Sequence, residues 1–129
     1  MKNISYLQTL DSNKVQENIL SARKCCKRLS ILEEILSTKK FQNDPDIINL
    51  YAFSLRKNNN FEKSEKQYKI ALDIDPKHKG ALEYLGELYV NTGRIEQANQ
   101  ILAKLAGCKC KEYSRLEGYI SGKKYKKLF

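Results

Sequence analysis

Few side chains of this sequence have the chemistry of a catalytic site, and the one histidine is the first to consider. His78 lies in the lysine-rich stretch 76–80. A general base needs a partner that orients it and a pocket that excludes water, and this stretch indicates neither. The six glycines lie singly, so the sequence contains no glycine-rich phosphate loop. We therefore predict that the protein is not an enzyme and uses no cofactor.

The four cysteines are the second candidates for chemistry, and they form two close pairs. One pair is Cys25 and Cys26, and the other is Cys108 and Cys110, which Lys109 separates. Positive neighbours favour a thiolate, so the second pair is a candidate for reactive thiols. Zinc sites favour ligands that are about two to four residues apart, a spacing that neither pair has. Because cysteines this close rarely form relaxed disulfides, we predict reduced thiols and no metal site, with a redox or metal role as an alternative.

The positive charge of the chain lies at its two ends. The formal net charge is +9, and residues 1–43 and 113–129 each contribute +4. Four lysines surround Tyr125 near the C-terminus and form a basic tail: Lys123, Lys124, Lys126 and Lys127. Cations mixed with aromatic rings are typical of single-strand binders. Binding of nucleic acid or an anionic surface through the basic termini is therefore an alternative function, although solvated lysine-rich ends are the simpler interpretation.

The sequence has no signature of a membrane or exported protein. No stretch approaches the roughly 20 consecutive apolar residues of a membrane helix. The first ten residues contain one lysine and lack the apolar run of an export signal. We expect a cytoplasmic protein that does not insert into a membrane.

The elements that position these side chains repeat at a spacing of 34 residues, as 45–78 and 79–112. A fixed period of this length predicts stacked units, each of which buries its apolar face against a neighbour. The apolar and small positions of the first unit correspond in order to those of the second, as Ile48, Tyr51, Ala52 and Leu55 to Leu82, Leu85, Gly86 and Tyr89. The helical spacing of these positions predicts an all-α fold.

Turn residues predict where the helices begin and end. Asp44 followed by Pro45 predicts a capped helix start, and the three asparagines at 58–60 predict a turn that also caps the next helix. The residue before Pro76 is disfavoured in a helix, and Gly107 is typical of a helix C-terminus. The predicted helices of the two repeats cover 45–57, 61–73, 79–90 and 95–105.

The segments before and after the two repeats are expected to cover the apolar ends of the repeat stack. Apolar spacing in 1–43 predicts two helices, which form an N-terminal helical hairpin or a degenerate repeat. Residues 113–129 predict a capping helix followed by the basic tail. We thus expect 1–129 to be a single helical repeat domain.

The second repeat resembles the tetratricopeptide repeat family. Leu82-x2-Leu85-Gly86-x2-Tyr89, followed by Ala98-x3-Leu102, is similar to its pattern, and residues 61–76 of the first repeat also match it closely. The resemblance implies a short right-handed α-solenoid of antiparallel helix pairs, used as a protein–protein interaction module, scaffold or adaptor. The segment 110–116 also resembles the tails of some short bacterial repeat proteins of this family.

The resemblance further implies that the first helices of the repeats line a concave groove for a partner peptide or helix. In this sequence the corresponding groove positions are Asp46, Asn49, Phe53, Arg56, Glu83, Glu87 and Val90. We expect Phe53 to be the anchor, unless it packs against the N-terminal hairpin. The lysines with which some members bind chaperone C-termini are lacking, which disfavours that ligand. Because the sequence contains only two clear repeats, self-association is a further expectation.

Overall fold

The computed structural model describes residues 25–122, together with Asp11 and Asn13. Residues 25–122 contain six helices and no strand, which confirms the predicted all-α fold class. The chain divides into two compact units, with the boundary in the sequence after Pro76. The helices are α1 (Cys25–Leu36), α2 (Pro45–Lys57), α3 (Phe61–Ile74), α4 (Lys79–Asn91), α5 (Ile95–Leu105) and α6 (Lys111–Ser121).

Helix α2 begins where local chemistry predicts. The carboxylate of Asp44 accepts hydrogen bonds from the backbone N–H groups of Asp46 and Ile47, at 3.0 and 3.3 Å. Pro45 occupies the first turn, where its missing N–H leaves no bond unmade. The helix ends at the asparagine turn, in which Asn59 has the left-handed φ of 63°. Asn60 precedes α3 as predicted, but its side chain makes no capping hydrogen bond.

The first unit has α2 as its central helix, which packs against both α1 and α3. Its main apolar cluster joins α1, the α1–α2 connection and α2, through Leu32, Ile35, Phe41, Ile47, Tyr51 and Leu55. On the α3 side, Ala52 and Ser64 are fully buried, and the Ser64 hydroxyl donates to the Ala52 carbonyl oxygen over 2.6 Å. Small side chains at positions 52 and 64 therefore allow α2 and α3 to approach closely.

The second unit is a three-helix arrangement in which α4, α5 and α6 all contact one another. Ala98 on α5 and Leu116 on α6 are fully buried. A Cβ atom added to Gly86 on α4 would lie 2.6 and 2.7 Å from the two Cδ atoms of Leu116. A side chain at 86 would therefore require Leu116 to shift, and glycine allows this close contact between α4 and α6.

Several boundaries of the second unit also agree with the sequence. Helix α5 ends at Leu105, and Gly107 follows with a φ of +87°. Helix α6 begins at Lys111, two residues before the segment 113–129 in which the sequence predicts a capping helix, and Gly122 follows it with a φ of +76°. The first predicted helix of 1–43 and the basic tail lie outside the described residues. In the described part of the chain, no helix is long and apolar enough to cross a membrane.

Candidate functional site

Four of the predicted groove residues lie on α2, and we call them the α2 surface: Asp46, Asn49, Phe53 and Arg56. Their spacing of three, four and three residues places them along one side of the helix. Asp46 and Phe53 are partly exposed, whereas Asn49 is 9% and Arg56 is 4% exposed. The aromatic ring and the carboxylate are therefore the accessible members of this surface.

Phe53 is flanked by two cations from its own helix. The Arg56 guanidinium carbon and the Lys57 ammonium nitrogen each lie 5.4 Å from the centroid of the ring. At this distance a cation is attracted to the negative face of an aromatic ring. The α2 surface thus presents an apolar ring with positive charge on its C-terminal side.

The other three predicted groove residues lie on α4. Val90 is partly exposed, but Glu83 and Glu87 are 2% and 7% exposed. The Glu83 carboxylate accepts two hydrogen bonds from Arg115 of α6, in the same unit. Arg115 Nε donates to Glu83 Oε2 and Arg115 Nη2 donates to Glu83 Oε1, both over 2.9 Å. This two-point geometry matches a guanidinium to a carboxylate, and the hydrogen bonds to Glu83 raise the pKa of Arg115.

Helix α6 therefore covers part of the α4 side that the sequence predicted as groove. Besides the Glu83–Arg115 pair, Leu116 lies against Gly86, and the Asn91 amide nitrogen donates to the Tyr119 hydroxyl over 2.8 Å. Sequence reasoning did not find the Glu83–Arg115 pair. The sequence feature that could have indicated this pair is the acidic Glu83 between Leu82 and Leu85 on an apolar helix. A carboxylate that is buried there requires a partner of opposite charge.

A polar cluster in the first unit was also not foreseen. It lies beside a cleft of about 410 Å³ between α1, α2 and α3. The Tyr51 hydroxyl donates to Glu33 Oε2 over 2.9 Å, and Lys63 Nζ lies 3.8 Å from the same oxygen. Burial raises the pKa of Tyr51, and the nearby Glu33 carboxylate acts in the same direction. The hydrogen bond with Tyr51 raises the pKa of Lys63.

His78 has a structural position rather than a catalytic one. It is the N-cap residue of α4, and its Nδ1 accepts the backbone N–H of Ala81 over 3.0 Å. An imidazole nitrogen here takes the place of the usual Ser or Asp oxygen at a helix N-terminus. From the sequence, His78 is expected in a linker, and this cap is not predicted.

The prediction of reduced thiols is wrong for the second cysteine pair. Cys108 and Cys110 are joined by a disulfide, with their Cα atoms 5.2 Å apart. Lys109 between them adopts a φ of +52°, which lies in the left-handed region that few non-glycine residues occupy. The sequence rule against such pairs assumed ordinary backbone geometry. Within the described residues, no group of three or more His, Cys, Asp or Glu side chains could hold a metal ion.

The helix pairs and their close contacts at small residues define a helical repeat protein. Comparison with known families agrees, because residues 55–116 match the tetratricopeptide repeat. The match confirms, over residues 55–116, the predicted resemblance to the tetratricopeptide repeat family. Repeats of this family are in general non-catalytic and bind other proteins. Neither the curated proteins nor the solved structures give a significant match to this chain.

Proposed function

We propose that this protein is a non-catalytic scaffold or adaptor in the cytoplasm that binds a peptide or helix of a partner protein. The proposed contacts lie among the residues predicted from the repeat pattern. Of these, Asp46 and Phe53 on the α2 surface and Val90 on α4 are partly exposed, whereas Asn49, Arg56, Glu83 and Glu87 are buried. The observation that carries the proposal is the partly exposed Phe53 with Arg56 and Lys57 beside its ring. Exposed aromatic side chains of this kind are frequent anchors in interfaces.

The charges around Phe53 indicate the kind of partner segment that would fit. Lys57 is exposed and lies next to the C-terminal side of the ring, whereas Asp46 lies two turns earlier on the same helix. A segment with an apolar side chain for Phe53 and an acidic residue near Lys57 would match this order of charges. Such charge complementarity contributes specificity and association rate more than affinity.

Affinity capture from the native host lysate tests the proposal. The lysate is divided into nuclease-treated and untreated halves, and captured proteins are identified by mass spectrometry. We expect a discrete partner that survives nuclease and is lost with Phe53→Ala. Phe61→Ala is the matched control, because Phe61 is a partly exposed phenylalanine of the same unit but lies at the start of α3. Thermal melting of both variants checks that they remain folded.

The same experiment distinguishes the alternative function. Capture that disappears with nuclease would assign binding to the basic termini, and its affinity should then fall steeply with added salt. Capture that Phe53→Ala and Phe61→Ala leave equally intact would refute the α2 surface as the binding site. Proposed self-association is tested separately, since a melting temperature that is independent of protein concentration would refute it.

A further inference from the structure

The Cys108–Cys110 disulfide lies in an accessible part of the second unit. Both cysteines are partly exposed, in the short connection between α5 and α6. A cleft of about 590 Å³ adjoins Cys110, lined by residues of this connection and by Lys111, Tyr113 and Ser114 of α6. A small thiol therefore has access to the disulfide from solvent without unfolding of the helices.

The surroundings of Cys110 favour a thiolate. Cys110 is the N-cap residue of the 11-residue helix α6, at the positive end of its dipole, and makes no capping hydrogen bond through its side chain. Lys109 and Lys111 flank it, and both are exposed. The nearby acidic residue Glu112 has its carboxylate 3.9 Å from Arg115, which partly neutralises its charge. Cysteine thiolates are stabilised at such electropositive helix N-termini.

The disulfide closes a very small loop. Only Lys109 separates the two cysteines, and the stabilisation from a disulfide grows with the length of the loop it closes. The ends of the connection have other anchors, since Leu105 and Leu116 are both buried and the Cys108 N–H donates to the Leu105 carbonyl. Stabilisation of the fold therefore does not explain a disulfide at this position.

We propose that Cys108 and Cys110 form a reversible thiol–disulfide exchange site that reacts with low-molecular-weight thiols of the glutathione class. The site is stoichiometric, so each chain exchanges one pair of electrons. This inference goes beyond the proposed partner binding and does not depend on it.

The proposed reaction has two steps. A thiolate of the small thiol attacks Sγ of Cys108, the Cys108–Cys110 bond breaks, and its electron pair remains on Cys110 as a thiolate at the start of α6. A second small thiolate then attacks the small-thiol sulfur of the mixed disulfide, and Cys108 leaves as a thiolate that takes a proton from water. The products are one oxidised small thiol and the reduced Cys108/Cys110 pair, so two thiols are oxidised and one protein disulfide is reduced. Oxidised glutathione drives the same steps in reverse.

The test uses the full chain with Cys25→Ser and Cys26→Ser, so that only the two cysteines of the site react. The protein is equilibrated in buffers of defined reduced and oxidised glutathione, quenched with an alkylating reagent, and weighed by mass spectrometry. We expect reversible conversion between disulfide and dithiol across these buffers. With Cys110→Ser added, oxidised glutathione should leave a glutathione adduct on Cys108, because no second protein thiolate is present to attack the mixed disulfide.

Alkylation rates of the reduced protein distinguish an exchange site from a disulfide that only stabilises the fold. In the reduced protein, Cys110 should react with iodoacetamide faster than Cys108 near neutral pH, because more of it is thiolate. Lys109→Gln and Lys111→Gln should each slow this reaction by about two- to fivefold, the effect of an exposed ion pair. Lys104→Gln is the matched control, since Lys104 is exposed on α5 and not adjacent to the pair in sequence.

Two results would overturn the proposal. One is a disulfide that glutathione leaves unchanged at every ratio, although dithiothreitol reduces it. The other is a pair that stays reduced in oxidised glutathione. Either result leaves capture of a partner through Phe53 unaffected, so the two proposals fail independently.

Discussion

Replacing Arg115 with methionine is expected to destabilise the second unit, because it leaves the Glu83 carboxylate buried without its partner. The Glu83 side chain is 3% exposed, and both of its oxygens accept hydrogen bonds of 2.9 Å from Arg115. Methionine retains much of the apolar stem of arginine but offers no donor. The buried carboxylate would then have to stay charged without these bonds, or take up a proton.

The structure sets the expected size of this effect. Removing one partner of a buried ion pair costs about 3–5 kcal/mol. The Arg115 side chain is 44% exposed, so water already screens part of the attraction and can reach the vacated space. We therefore expect a loss of about 2–3 kcal/mol in the free energy of unfolding. For a chain of this size that corresponds to a fall in Tm of roughly 10 °C.

Urea unfolding followed by far-UV circular dichroism measures this loss. Lys104→Met is the control for removing a positive charge, because Lys104 is exposed in the last turn of α5. The double variant Glu83→Gln/Arg115→Met should be more stable than Arg115→Met alone, since a neutral amide costs less to bury than an unpaired carboxylate. If Arg115→Met unfolds at the same urea concentration as Lys104→Met, the pair contributes no stability and the reasoning is wrong.

Two further changes test other contacts by the same measurement. Gly86→Ala should lower the free energy of unfolding by about 1–3 kcal/mol, because its Cβ would lie 2.6 Å from a Cδ atom of the fully buried Leu116; a gain in stability, as expected from helix propensity alone, would contradict the packing argument. The second test concerns pH, because burial raises the pKa of Tyr51 above 10.0. As pH rises, the Tyr51 hydroxyl loses its proton in the unfolded state before it does so in the folded state. The stabilisation that the protonated Tyr51 gives to the fold is therefore present below about pH 10 and is lost as pH rises through its folded pKa. Tyr51→Phe should therefore show a shallower loss of stability than the original protein between about pH 9 and 11, and equal slopes would refute this assignment.

Local sequence determined the helices and most of their ends. The Asp44 cap involves N–H groups only two and three residues away, and the left-handed glycines after α5 and α6 act within one turn. Such features are readable because every partner is a near neighbour in sequence. The 34-residue period predicted the paired helices for a similar reason, since each repeat uses apolar and small residues at the same places.

Burial and pairing across helices were decided by tertiary structure. Glu83 and Arg115 lie on α4 and α6, and neither residue alone indicates the other. Whether a helical side chain faces solvent or a neighbouring helix depends on how the two helices are rotated and spaced, and Gly86 against Leu116 fixes that spacing for α4 and α6. The Cys108–Cys110 bond is different, because its partners are near neighbours in sequence; it was missed because the left-handed φ of Lys109 between them was not foreseen. Sequence thus determined the elements through short-range hydrogen bonds and apolar period, whereas their contacts arose only when helices distant in sequence packed together.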